Sequence, residues 1–178
     1  MEQVTKLKRN VLLIGFMGSG KTTVGRKLSW KLRVPVEDTD SLIEQKAGRT
    51  IMEIFQTEGE ESFRKMETEE LREICGRNYR RILSVGGGTP VREENRVLLK
   101  KCGTVIYLRV KPETVYERLK GDKTRPLLQT ENPLERIREL IKARERAYEE
   151  CADVILDVDD LDAEECADRL ARWLEVNA

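Results

Sequence analysis

The sequence predicts an α/β fold in one domain spanning residues 1–178: a five-stranded parallel sheet flanked by helices on both faces. Three observations predict it. Short apolar runs of strand type alternate with amphipathic stretches of helical period, the pattern of a parallel sheet covered on both sides. A glycine-rich segment, Gly15 to Thr22, fits G-x-x-x-x-G-K-[ST] and stands between the first such strand and the first such helix. The 178 residues contain no internal repeat, low-complexity stretch or linker, so a single core accounts for the chain.

The elements follow in order. Val11–Ile14 is an uninterrupted apolar run, as expected of a strand buried on both faces. Val24, Leu28 and Leu32 recur at helical spacing and make Lys21–Leu32 the first helix. Pro35-Val36-Glu37-Asp38 is a short second strand running into Asp40. Leu42–Lys46, Ile51–Phe55 and Glu60–Cys75 carry helical periodicity, broken near Gly48 and Gly59. Thr50 with Glu53 three residues on has the form of a capping box. Arg81–Val85 is the third strand, closed by Gly86-Gly87-Gly88. Glu93–Lys101 is helical and Thr104–Arg109 is the fourth strand. Pro112 opens a helix to about Lys120, at the first position that proline tolerates. Gly121–Asn132 reads as a loop, and Pro133 opens a long helix to about Glu150. Val154–Leu156 is the fifth strand, and Ala163–Val176 a closing amphipathic helix.

Composition narrows the chemistry. Thirty-three basic and thirty-three acidic residues cancel, which argues against a bulk field for nucleic acid or membranes. No apolar run approaches the roughly 20 residues of a membrane span, and the polar Met1–Asn10 does not read as a secretory signal; a cytoplasmic protein is expected. The four cysteines, Cys75, Cys102, Cys151 and Cys166, are far apart and form no C-x-x-C pair, so they read as reduced, mostly buried thiols. Histidine is absent. That excludes a Ser-His triad, a histidine metal site and a histidine base, and leaves acid–base chemistry to carboxylates or to the substrate itself.

Gly15-Phe16-Met17-Gly18-Ser19-Gly20-Lys21-Thr22 is a phosphate-binding loop in the context that gives the pattern meaning: strand, loop, helix. Gly18, Ser19 and Gly20 let the backbone fold around an anion with its N–H groups inward, and the helix adds the positive end of its dipole. Lys21 supplies a full charge to the outer phosphates. The Thr22 hydroxyl is suited to Mg²⁺, and Thr23 continues the loop into the helix. The guanine signature N-K-x-D is absent, and small size favours a simple phosphoryl transferase. Asp38, Asp40 and Gly86–Gly88 also follow strand ends, where ligands of parallel sheets bind. Taken alone, Asp38 is also a strand-end turn cap and Asp40 a helix N-cap before Leu42–Lys46. Arg64, Arg118 and Arg144 alone are solvated helix residues.

The chain resembles the shikimate kinases over about Asn10 to Leu174. The pieces are G-x-x-G-S-G-K-T-T at Gly15–Thr23, D-T-D at Asp38–Asp40, I-x-x-I-F-x-x-x-G-E-x-x-F-R at Ile51–Arg64 and G-G-G at Gly86–Gly88. T-R-P-L-L at Thr124–Leu128 and K-A-R-x-x-x-Y at Lys142–Tyr148 complete the series. The resemblance implies a P-loop NTPase fold with a substrate-binding segment at about 38–67 and a mobile lid at about 121–132. It implies transfer of the γ-phosphoryl of ATP to the 3-hydroxyl of shikimate, in the pathway to chorismate and the aromatic amino acids, with Mg²⁺, by a monomer.

By the same resemblance, Arg64 and Arg144 hold the substrate carboxylate, for which the planar guanidinium fork is matched. Asp40 grips the hydroxyls and is catalytic with Lys21 and Arg125. Gly86, Gly87 and Gly88 let the backbone approach the ring. Asp38 holds the Mg²⁺ shell through water, beside Thr22. Arg125 and Lys123 belong to the lid, and Arg118 stacks on adenine. Asp157-Val158-Asp159-Asp160 departs from the family, whose loop there touches adenine and often carries an arginine or a polar residue. That leaves base contacts to backbone atoms. The rival readings are a gluconate kinase-like enzyme, a nucleoside monophosphate kinase and a nucleotide-binding module without turnover.

Overall fold

A computed structural model describes residues 7–77, 79–125 and 128–177. Its sheet has five parallel strands in the order β2-β3-β1-β4-β5: β1 (Asn10–Ile14), β2 (Val36–Asp38), β3 (Ile82–Ser84), β4 (Gly103–Arg109) and β5 (Val154–Asp157). β1 lies in the middle because it is the most apolar segment, and its side chains are buried along the whole strand. The core is built around Leu12, Leu13, Ile82, Leu83, Val105 and Ile106.

Helix α1 (Lys21–Leu32) follows β1 and buries Val24, Leu28 and Leu32, the expected stripe. Three helices fill the connection from β2 to β3: α2 (Thr39–Ala47), α3 (Ile51–Glu58) and α4 (Glu60–Gly76). They enclose a small core of their own, Ile43, Ile54 and Phe63, separate from the main one. α3 starts on the capping box: Thr50 N–H donates to Glu53 Oε2 at 2.7 Å and Glu53 N–H to Thr50 Oγ1 at 3.2 Å. Helix α5 (Glu93–Cys102) leads into β4, and α6 (Pro112–Leu119) and α7 (Pro133–Cys151) both open on proline. The chain closes with α8 (Ala163–Asn177), packed along α1.

The order β2-β3-β1 matters most for function, because the segments after these three adjacent strands carry the three chemical signals. Register makes it specific: Ser84 at the end of β3 pairs with Leu13 of β1 on one side and Asp38 of β2 on the other.

The elements agree with the sequence expectations to within a few residues, with two additions. A 3-10 turn, Thr89–Val91, follows the glycine triplet. α2 begins at Thr39, three residues earlier than periodicity implied, and so takes in Asp40. The cause is the cap. Asp38 Oδ1 accepts from Ser41 N–H at 3.1 Å, so Asp38 is the N-cap and Asp40 is not. The free cysteines are as expected: Cys102, Cys151 and Cys166 are buried and Cys75 half-buried. No helix among the described residues is long and apolar enough to cross a membrane.

Candidate active site

The phosphate loop is a closed turn between β1 and α1. Gly18 and Gly20 have φ of 78° and 92°, a region other residues enter only at a cost, and Gly20 caps α1 without a side chain. Lys21 Nζ donates to the carbonyls of Gly15 at 2.8 Å and Phe16 at 3.1 Å, so the ammonium is folded back over its own loop. Burial lowers its pKa to about 8; Asp40 and Asp38 act against that, and Arg125 and Arg144 with it. The Ser19 hydroxyl is buried with no partner among the described residues.

Beside the loop, Thr22 Oγ1 lies 3.4 Å from Asp38 Oδ2 and 3.3 Å from Ser84 Oγ. This is the consequence of the strand register: α1, β2 and β3 each deliver one oxygen to the same place. Asp38 thus caps α2 with one carboxylate oxygen and faces Thr22 with the other. These are hard oxygen donors, and Mg²⁺ needs few of them because it retains most of its water. The residues present fit that ion.

Across the cleft, Asp40 stands in the first turn of α2. Its Oδ1 is buried and makes no hydrogen bond among the described residues. Burial raises its pKa to about 6, the negative charges of Asp38 and Glu67 add to that, and Lys21 and Arg64 partly offset it. A carboxylate poised in this range is suited to hold a hydroxyl and take its proton. Arg64 reaches in from α4, and its Nη1 donates to the buried Glu67 at 2.7 Å. Arg144 comes from α7 and lies over the Phe16 ring at 5.6 Å. Tyr148, one turn on, donates its hydroxyl to the Gly87 carbonyl at 2.6 Å and ties α7 to the triplet.

The triplet is glycine for want of space, since none of the three has positive φ. A Cβ on Gly86 would stand 2.6 Å from Asp40 Oδ1, and one on Gly88 2.7 Å from Arg64 Nη2. The crowding therefore falls on Gly86 and Gly88. Gly87 lines the cleft, where a Cβ would meet the Gly15 carbonyl oxygen of the phosphate loop at 3.3 Å, a milder crowding than at its neighbours, and lie 3.8 Å from Arg144 Nη1.

At the far end Arg125 enters the cleft, held by Asp122 Oδ2 at 3.0 Å and with Nη1 4.0 Å from Met17 Sδ. Pro126 and Leu127 of the T-R-P-L-L segment lie outside the described residues. Arg118 does not line the cleft. It bridges the phosphate loop and the turn after β5, donating to the carbonyls of Gly18 at 2.8 Å and Val158 at 3.2 Å. Two of the acidic residues of that turn are bonded within the fold. Asp157 pairs with Arg109, and Asp159 accepts from Lys111 N–H at 2.9 Å and Thr114 Oγ1 at 2.6 Å, capping α6 from a distance.

One cleft of about 450 Å³ collects Gly18, Gly20, Lys21, Thr22, Thr23, Asp38, Asp40, Arg64, Gly86, Gly87, Gly88, Arg125 and Arg144. Sequence reasoning missed three contributors. Glu67 was legible only as an R-x-x-E pair on one helical face. Asp122 stands three residues before Arg125. Ser84, which sets a third oxygen beside Thr22 and Asp38, ends a plain apolar strand and carried no signal. The apolar wall of Ile51, Phe55 and Phe63 lies within the motif read at Ile51–Arg64.

An anion cradle with its own lysine, opening onto a pocket lined by guanidiniums and a buried carboxylate, has the make-up of a small P-loop phosphotransferase. Known proteins carry this further. The family model for shikimate kinase matches residues 17–175. A shikimate kinase of Thioalkalivibrio sulfidiphilus is 41% identical over 94% of this chain and 88% of its own length. One from Actinobacillus pleuropneumoniae serotype 5b is 44% identical over 94% of this chain and 96% of its own. A shikimate kinase from Acinetobacter baumannii, solved in complex with shikimate, superposes with a TM-score of 0.89 at 40% identity, covering 97% of this chain and 96% of that one. The chain belongs to the shikimate kinase family.

Proposed function

We propose that this protein transfers the γ-phosphoryl of ATP to the 3-hydroxyl of shikimate, giving 3-phosphoshikimate and ADP, in the pathway to chorismate and the aromatic amino acids. The observation that carries the reading is the sharing of one cleft by Lys21, Asp40, Arg64 and Arg144.

In this reading Arg64 and Arg144 take the acid's carboxylate, and Asp40 takes the hydroxyls at the opposite end of the ring. The two grips fix the ring, so the acceptor oxygen faces the phosphate loop. The amides at Gly18, Ser19 and Gly20 hold the phosphates, and Thr23 extends the cradle into α1. Lys21 leaves the Gly15 and Phe16 carbonyls for the phosphate oxygens, which restore the ammonium that burial disfavours. Thr22 would hold Mg²⁺ directly and Asp38 through water, and the ion bound there would supply neutralising charge for the phosphate oxygens. Arg125, on a lid at about 121–132, covers the transferred group. The bond from the 3-oxygen to the γ-phosphorus forms as the bond from that phosphorus to the β–γ bridging oxygen breaks, and Asp40 receives the hydroxyl proton. Such a transition state is loose, so positioning and charge neutralisation provide most of the acceleration. Arg118 gives its guanidinium face to adenine, with backbone atoms of residues 157–160 completing the base site. The protein acts as a monomer in this reading, and ATP as co-substrate suits the cytoplasm.

The test is ADP release with shikimate, gluconate, AMP or no acceptor. Release that depends on shikimate and not on the other two is expected. Equal release without acceptor, or faster turnover on gluconate or AMP, overturns the assignment.

A further inference from the structure

Behind the cleft, α4, α5 and the turn after the glycine triplet are joined by a buried polar chain. Thr89 Oγ1 donates to Glu67 Oε1 at 2.7 Å, and Glu67 Oε2 accepts from Arg64 Nη1, also at 2.7 Å. Asn95 donates from Nδ2 to the Thr89 carbonyl at 2.9 Å and accepts at Oδ1 from the Thr68 hydroxyl at 2.7 Å. Glu67, Thr68, Thr89 and Asn95 are 3%, 4%, 1% and 0% exposed. Neither Thr89 nor Asn95 lines the cleft.

A chain of this kind has a purpose beyond cohesion. Arg64 has a second carboxylate within reach: its Nη2 lies 3.3 Å from Glu60 Oε1, on a side chain that is 66% exposed against 2% for Glu67. The guanidinium is therefore shared between an outward and an inward anchor. The inward one is strengthened while both oxygens of Glu67 are bonded, because an open oxygen on a buried carboxylate costs free energy. The Thr89 hydroxyl closes the second oxygen, and Asn95 fixes the backbone that presents it. Crowding at Gly86 ties the same point to the other end of the acceptor site. A Cβ there would lie 2.6 Å from Asp40 Oδ1 and 3.1 Å from both Glu67 Oε1 and Thr89 Oγ1.

We propose that Thr89 and Asn95 are positioning residues for the acceptor: they fix Glu67, and through it set the Arg64 guanidinium in the orientation that takes the acceptor's carboxylate. Binding then spends little rotamer freedom of Arg64, which is the advantage of a pre-organised site. This rests on the reading of Arg64 as a carboxylate ligand given above.

The experiment is steady-state kinetics on Thr89→Val, which keeps the shape and removes the hydroxyl, with Thr89→Ser as the conservative rescue. Thr89→Val is expected to raise KM for shikimate about 5- to 30-fold, the scale of one unmade hydrogen bond to a charged group, with KM for ATP within two-fold. Thr89→Ser restores the wild-type value. Asn95→Leu is expected to move the same constant in the same direction. In an Arg64→Ala background Thr89→Val adds less than two-fold, since nothing is left to orient. If Thr89→Val does not yield folded protein, Thr89→Ala is read by the same criteria. An unchanged KM for shikimate in the hydroxyl-free variant, with a large rise in Arg64→Ala, overturns the relay alone. No rise in Arg64→Ala overturns the carboxylate assignment instead. A parallel rise of both KM values, persisting in the Arg64→Ala background, reduces Thr89 to a packing residue and overturns the proposal.

Discussion

The two halves of the cleft are built in opposite ways. The phosphate half is one turn of chain, Gly15 to Thr22, in which backbone groups and one lysine do the recognition. Lys21 Nζ is bonded to the Gly15 and Phe16 carbonyls of the same turn. The other half is assembled from four segments: Asp40 from α2, Arg64 and Glu67 from α4, the backbone of the triplet after β3 and Arg144 from α7. Within it Asp40 keeps a buried oxygen with no hydrogen-bond partner among the described residues. A phosphate group is the same in every nucleotide, so a rigid local cradle serves it. An acceptor must be told from its neighbours, and that requires side chains placed independently of one another.

The strongest way to break this comparison is Asp40→Asn. We expect kcat to fall about 10²- to 10⁴-fold, as for loss of a positioned proton acceptor, with KM for ATP within a few-fold. The same variant should be more stable at pH 7.5. The Asp40 carboxyl titrates at about 6 in the fold against 3.8 as the ordinary value. Between these values the native state holds the proton that the unfolded chain has lost, so stability falls as pH rises through that window, and above it the full cost remains. Removing the charge recovers at most about 2–3 kcal/mol, less what hydration of the open cleft already offsets, or a Tm gain of a few degrees. Near-normal turnover, or a lower Tm at pH 7.5, would contradict the picture of a strained acceptor half.

Arg64→Ala and Arg144→Ala sharpen the division between the halves. Each should raise KM for shikimate about 10- to 100-fold, the worth of a charge-assisted pair, and leave KM for ATP nearly unchanged. A comparable rise for ATP in both variants would erase the boundary between the two sites.

The smallest effect is on pH dependence. With ATP saturating, kcat/KM for shikimate should fall below about pH 6, tenfold per unit, because protonated Asp40 has no capacity for the hydroxyl proton. A profile flat down to pH 5 would show that Asp40 does not titrate in the step.

Most of the fold was legible because apolar period and glycine punctuation are local properties. The start of α2 was not. The Leu42–Lys46 pattern marks where the helix buries side chains, whereas Asp38 decides where it begins by capping Ser41, so Asp40 fell inside the helix rather than at its cap. Glu67 was missed for a related reason. On α4 it resembles its acidic neighbours, of which Glu70 is just as buried, until the bonds from Thr89 and Arg64 distinguish it.

By itself the sequence determined the alternation of strands and helices, the phosphate cradle and the inventory of charged groups, since these depend on residues near one another in the chain. Tertiary structure alone decided that β3 lies between β2 and β1 and brings Asp38, Ser84 and Thr22 together. It also decided that α4 and α7 aim Arg64 and Arg144 into the same cleft. The physical reason is that strand order and helix packing follow from burial of the whole apolar surface at once, and no local segment carries that information.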